Sequence, residues 1–239
     1  MLGQGLNAQE LAAELTRALA DRPRLVFCDL SGMAMAAVEL GKLFGSLADH
    51  LIGWPGVVVV VVSTDPDVRS RVRALPPAYR LVVADSRQAG EVAAISLLSS
   101  LRGAELTLAP DLGSPRAARV FAAQAMLDWD LPSLVAPACL VVSELVTNSV
   151  VHAATSVQLI LSRMDGRVLV AVRDQADGVP DLKSLRADED QDGRGLMLVQ
   201  AFALEWGVVP AESGGKTVWA LLGAESGEPG PRLSEGAAV

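Results

Sequence analysis

The sequence predicts an α/β protein built from two domains. Short apolar strands, of which residues 57–62 are the longest run, alternate with helical segments over residues 8–101. A different pattern, with one long apolar helix followed by strands and glycine turns, occupies the second half of the chain. The length of 239 residues is suited to two small domains. A hydrophobic content of 51% with 20% charged residues predicts an ample core.

The elements of the first domain follow one another without long gaps. The pattern predicts four helices and three strands; the helices are expected at residues 8–20, 34–51, 65–75 and 87–101, and the strands at 24–30, 57–63 and 81–84. Strands that are apolar throughout need cover on both faces, and helical connections allow parallel pairing. We therefore expect a mainly parallel sheet covered by helices.

A polar stripe marks the long apolar helix of the second domain. Glu144, Asn148 and His152 follow at intervals of four residues, so they share one helix face. Polar groups on an apolar helix need partners, which a ligand, a metal ion or water can supply. The alternative interpretation is that this polar face of the helix is exposed to solvent and binds no ligand.

Three further features follow this helix. A strand ends at Asp174 and leads into a turn at Gly178, and an acidic stretch then runs into a glycine turn, Gly193-Arg-Gly195, that opens a helix. Helix N-termini bind phosphate, because their backbone N–H groups lack intrahelical acceptors. Gly215-Lys-Thr217 leads into a last strand, but Pro210 stands where a P-loop requires glycine, which excludes that kind of nucleotide site.

Taken together, residues 104–223 resemble the ATP-binding domain shared by sensor histidine kinases, DNA gyrase, heat-shock chaperones and mismatch-repair ATPases. They look most like the anti-sigma-factor serine kinases. The resemblance implies an α/β sandwich that binds ATP and Mg²⁺. It implies that Asn148 ligates magnesium and that Glu144 is the catalytic base that activates the attacking hydroxyl. A carboxylate one turn before the metal ligand is suited to that work.

The remaining site residues are also implied by the resemblance. Asp174 matches the carboxylate that accepts from the adenine amino group, and Ala176 departs from the family's loop, where a glycine is expected. That departure bears on affinity more than on binding itself. The other residues expected to contact the nucleotide are His152, Gly178, Gly193, Arg194, Gly195, Leu196 and Thr217. The acidic segment 182–192 is expected to be a mobile lid that brings Arg194 toward the phosphates.

The first domain is similar to STAS domains, the fold of anti-sigma-factor antagonists, through the segment Asp29-Leu-Ser-Gly-Met. In that family a phosphoacceptor hydroxyl follows a few residues later. Here the stretch 34–40 contains no hydroxyl, so the domain is expected to escape phosphorylation there. Ser31 is interpreted as a turn residue that caps local backbone. We expect a STAS-like domain at 1–102, the ATPase domain at 103–223 and a disordered tail at 224–239.

These resemblances imply an anti-sigma-factor-type serine kinase that acts on a STAS antagonist, binds a sigma factor and forms a homodimer. The alternative is a non-catalytic, ATP-sensing scaffold that switches partners. A net charge of −8 argues against nonspecific nucleic-acid binding, and no membrane association is expected, so the protein is expected to be cytoplasmic. Arg116 and Arg119, on a helix that Ser114 is expected to cap, are candidates for partner contacts or a solvated face. Cys28 and Cys139 are not expected to form a disulfide.

Overall fold

A computed structural model describes residues 7–20, 23–33, 36–53, 57–76, 80–153, 155–164, 166–175, 191–210 and 214–223. Within this part of the chain there are two compact units, which meet in sequence between Leu101 and Arg102. The first unit holds a three-stranded sheet, and the second holds a five-stranded sheet.

The first unit is a parallel α/β structure, as the sequence predicts. Its strands pair in the order β1-β2-β3, and both pairings are parallel. The elements in chain order are α1 (Ala8–Ala20), β1 (Leu25–Asp29), α2 (Ala37–Ser46), α3 (Ala48–Gly53), β2 (Val58–Val62), α4 (Pro66–Arg73), β3 (Leu81–Ala84) and α5 (Arg87–Ser100).

The central strand β2 consists of five valines, all of them buried. Helix α5 approaches this strand closely through Gly90, because a β-carbon at that position would lie 2.5 Å from Cγ1 of Val60. Asp65 caps α4 by accepting from the backbone N–H of Asp67 at 2.8 Å, and Ser86 caps α5. These caps explain why both helices begin where the sequence predicts.

In place of the single helix predicted over residues 34–51, the structure has two helices, α2 and α3, that are separated at Leu47. The hydroxyl of Ser46 donates to the carbonyl of Leu43 at 2.9 Å, a local bond that competes with helix continuation. Phe44, Leu47 and Leu51 are nonetheless all buried, so the predicted apolar face is kept across the break.

The turn after β1 contains Ser31. The carboxylate of Asp29 accepts from the backbone N–H of Ser31 at 2.9 Å, and Gly32 has a φ of 81°. The side chain that caps the backbone in this turn is therefore the Asp29 carboxylate, whereas the sequence predicted that Ser31 would do so.

The second unit is an antiparallel sheet with helices on one face. Its strands lie in the order β4-β5-β6-β8-β7. The elements are β4 (Arg102–Leu108), α6 (Ser114–Asp128), a 3-10 helix (Pro132–Leu134), α7 (Val135–Ala153), β5 (Val157–Met164), β6 (Arg167–Asp174), α8 (Gln191–Phe202), β7 (Glu205–Pro210) and β8 (Lys216–Gly223).

Helix α7 lies in the core between the sheet and its neighbouring helices. Val142, Leu145 and Val146 are buried and belong to one cluster with Val170 of β6 and Val199 of α8. The segment Pro132–Val151 is long and apolar enough to cross a membrane by length and composition. Because its apolar residues pack in this core, we interpret it as a core helix.

One detail differs from the sequence prediction, which expected Ser114 to cap α6. The N-cap residue of α6 is Gly113, and the carboxylate of Asp111 accepts from the backbone N–H groups of Gly113 and Ser114 at 2.7 and 3.1 Å. Ser114, the predicted cap, instead donates its hydroxyl to the carbonyl of Ala109 at 2.6 Å.

Candidate functional site

The polar stripe of α7 lies against helix α8. Glu144 and Asn148 are both half-buried. A β-carbon added to Gly195 of α8 would lie 2.6 Å from Oε2 of Glu144 and 3.8 Å from Nδ2 of Asn148. The structure therefore brings Glu144, Asn148 and Gly195 together. His152 lies one turn further along α7, and its side chain is outside the described residues.

A side chain at Gly195 would meet the carboxylate of Glu144, which would have to shift to make room. The backbone of α8 thus lies close to the polar stripe of α7. Helix α8 begins at Gln191, so Gly193, Arg194 and Gly195 lie inside its first turns rather than in a turn before the helix, as the sequence predicted. Backbone N–H groups at this helix start favour a negatively charged ligand. Leu196 places its side chain in the core.

A second polar cluster lies at the end of the central strand β6. Asp174 is 1% exposed, and each of its carboxylate oxygens accepts a hydrogen bond. Ser149 of α7 donates its hydroxyl to Oδ2 at 3.0 Å, and Lys216 donates from Nζ to Oδ1 at 3.2 Å. Ser149 therefore connects this cluster to α7, the helix that carries Glu144 and Asn148.

The strand register puts Lys216 beside Asp174. The two residues are direct partners in the antiparallel pairing of β6 with β8, and Thr217 is the partner of Arg173. Thr217 is fully buried. Asp174 and Thr217 were predicted from the sequence as site residues, whereas Ser149 and Lys216 were not. A hydroxyl at position 149 of an apolar helix was a usable signal for Ser149, whereas no local signal reveals the pairing of Lys216.

A tight glycine turn leads into β8. Gly214 and Gly215 have φ values of 88° and 84°, which favour glycine. A β-carbon at Gly215 would overlap the carbonyl oxygen of Asp174 and would lie 2.6 Å from Cα of Gln175. This close backbone contact fixes the start of β8, and hence the position of Lys216, against the end of β6.

Several predicted features lie outside the described residues. These are Gly178, the departure at Ala176, most of the expected lid (residues 182–190) and the tail expected at 224–239. Within the described part of the chain, no group of three or more His, Cys, Asp or Glu residues could hold a metal ion. A magnesium ion in a nucleotide site does not need such a cage, since one or two protein oxygens complete a shell of phosphate oxygens and waters. The side-chain oxygen of Asn148 fits that requirement.

The two cysteines are free thiols. Burial, with a further contribution from the charge of Asp29, raises the pKa of Cys28 to about 12. Burial also raises the pKa of Cys139, against the opposing effect of Arg119. Neither thiol is activated as a nucleophile. Arg119 itself is exposed and donates to the hydroxyl of Ser143 on α7 at 2.7 Å.

A comparison with known families finds a similarity within the second unit. Residues 108–221 match the family model of the histidine kinase-like ATPase domain. The match covers somewhat less than half of the chain and lies entirely within the second unit. No curated protein matches the chain significantly. The matched segment contains both polar clusters, and the five-stranded sheet with helices on one face is consistent with a histidine kinase-like ATPase fold.

Proposed function

We propose that the histidine kinase-like ATPase domain binds ATP with Mg²⁺. The observation that carries the proposal is the close approach of Gly195 in α8 to Glu144 and Asn148 in α7. It places a carboxylate and a side-chain amide next to the first turns of a helix. Asp174, at the far end of the same arrangement, is a buried acceptor suited to the adenine amino group.

Each residue has a distinct part in this proposal. Asn148 would hold the ion, and when bound the ion neutralises phosphate charge. The backbone N–H groups at the start of α8 stabilise the negative phosphates. Glu144 accepts the proton of a hydroxyl that attacks the terminal phosphate. A general base must be held in position. The half-buried location of Glu144 beside α8 restricts the movement of its carboxylate in this way.

The hydroxyl would come from a protein. The resemblance to anti-sigma-factor kinases supports a serine of a separate STAS antagonist as the substrate and a sigma factor as the competing partner. The proposal also includes a cytoplasmic homodimer without direct nucleic-acid or membrane binding, in keeping with the net charge of −8. The first unit would then act by contact, as a STAS-like module without a phosphoacceptor at 34–40.

The alternative is an ATP-sensing scaffold without catalysis. The position of Glu144 favours the kinase, because a scaffold needs no carboxylate beside the helix that faces the phosphates. Labelled ATP and candidate STAS antagonists separate the two. The kinase predicts transfer of label to the antagonist. It also predicts that Glu144→Ala keeps ATP binding while transfer slows by about 10²–10⁴-fold.

A matched control for this experiment is Glu105→Ala. Glu105 belongs to the same unit, and its exposed carboxylate accepts from Gln158 at 3.2 Å on the edge strand β4. This variant should transfer phosphate as the wild type does. If the wild type binds ATP and labels none of the antagonists, the scaffold function replaces the kinase.

A further inference from the structure

The pair formed by Asp174 and Lys216 offers more than a carboxylate to a bound base. The ammonium of Lys216 lies 3.2 Å from Oδ1 of Asp174, and the two side chains are 12% and 1% exposed. They stand side by side because they are register partners at the ends of β6 and β8. Any base that reaches Asp174 therefore meets a hydrogen-bond donor next to an acceptor.

A carboxylate by itself selects an amino group at position 6 of a purine. An ionised carboxylate only accepts hydrogen bonds, so a 6-oxo group would face it acceptor to acceptor. A site of that kind rejects the wrong group strongly, because a buried polar atom is left without a partner. An ammonium beside the carboxylate removes this selectivity, since an ammonium only donates hydrogen bonds. The ammonium can donate to the oxygen at position 6 of the purine while the carboxylate accepts from the neighbouring N1–H.

We propose that Lys216 is a specificity-determining residue that lets the site accept 6-oxopurine nucleoside triphosphates as well as ATP. This inference rests on the proposed nucleotide site, with Asp174 as the base-reading group. Adenine would use Asp174 as the acceptor for its amino group. Hypoxanthine or guanine would use Lys216 as the donor to O6 and Asp174 as the acceptor from N1–H.

Two neighbours hold the pair in place for this task. The hydroxyl of Ser149 donates to Oδ2 at 3.0 Å and orients the carboxylate from the side of α7. The contact of Gly215 with the backbone of Asp174 and Gln175 fixes the residue before Lys216. The donor and acceptor are thus organised by the fold, which reduces the cost of ordering them around a base.

The test compares ATP with inosine triphosphate, which carries a 6-oxo group and N1–H in place of the amino group. Isothermal titration calorimetry with the full chain and Mg²⁺ gives the two dissociation constants. The wild type should bind the two nucleotides within about tenfold of each other. Lys216→Met should weaken inosine triphosphate relative to ATP by roughly tenfold or more, the loss expected for a charged hydrogen bond.

Two variants control for charge and folding. Lys216→Arg keeps a cationic donor and should bind both nucleotides. Arg167→Met removes an exposed cation at the opposite end of β6 and should leave the ratio of affinities unchanged. The inference is overturned if the wild type binds ATP but binds inosine triphosphate more than about tenfold more weakly. It is also overturned if Lys216→Met leaves the ratio unchanged. Binding of neither nucleotide by the wild type would instead refute the proposed nucleotide site.

Discussion

A methyl group at Gly195 provides a direct probe of the contact between α7 and α8. In Gly195→Ala the new β-carbon would lie 2.6 Å from Oε2 of Glu144, and ordinary van der Waals contact begins at 3.4 Å. The carboxylate must therefore withdraw by about 0.8 Å. Because it is the flexible end of a side chain, the fold should accept this movement, and alanine is about 1 kcal/mol more favourable than glycine within a helix.

The expected result is a folded protein with impaired chemistry. The free energy of unfolding should change by no more than about 1 kcal/mol. Phosphate transfer to the antagonist at saturating ATP should fall by roughly 10²-fold, since misplacing a catalytic group by about 1 Å costs that much. Gly41→Ala is the matched control, because a β-carbon there meets nothing within 4 Å, and it should transfer phosphate normally.

A double-mutant cycle tests whether the loss acts through Glu144. If it does, Gly195→Ala should add little to Glu144→Ala. An equal loss in both backgrounds, or full activity of Gly195→Ala, would show that the contact between Gly195 and Glu144 does not position the carboxylate.

Three further outcomes follow from the described contacts. Ser149→Ala removes a hydrogen-bond donor to the buried Asp174 and should lower the free energy of unfolding, measured by chemical denaturation, by about 1–3 kcal/mol. Ser99→Ala removes an exposed hydroxyl from a helix and should leave the free energy of unfolding almost unchanged. Equal effects of the two substitutions would contradict this prediction. Because the folded-state pKa of Cys28 is raised to about 12, its contribution to stability is complete below about pH 9 and is lost as the pH rises toward 12. Unfolding curves of the wild type should show this loss of stability between about pH 9 and 12. The Cys28→Ala variant should lose less stability over the same interval, and identical pH profiles of the two proteins would contradict the prediction. Mass spectrometry after incubation with ATP should find no stoichiometric phosphate on Ser31 or Ser46, and such a phosphate would mean that the first unit is a substrate.

The sequence was most informative where one element carries the whole signal. The stripe of Glu144 and Asn148 could be identified because helix periodicity alone puts residues four apart on one face. The parallel sheet of the first unit could be predicted because strands such as Val58–Val62 are apolar throughout. In both cases local pattern and tertiary environment point to the same structure.

Other features depend on pairings between distant segments. Strand β4 is an exposed edge strand that begins with Arg102 and Gly103, residues with little preference for strands, and it exists because β5 pairs with it. The bond between Lys216 and Asp174 similarly depends on a register between strands about forty residues apart. The glycines before Leu196 read as a turn, although the helix that contains them begins at Gln191.

We propose that α7 and the end of β6 form one site for Mg²⁺ and ATP. Calorimetric titration of ATP, with and without Mg²⁺, should compare the wild type with Asn148→Ala, with Asp174→Asn and with the control Thr147→Ala. Thr147 is exposed on the same helix. Asn148→Ala should lose most of the magnesium-dependent affinity, and Asp174→Asn should bind ATP more weakly, because an amide donor can then face the amino group. Thr147→Ala should match the wild type. Equal ATP affinity in all four proteins would contradict the claim.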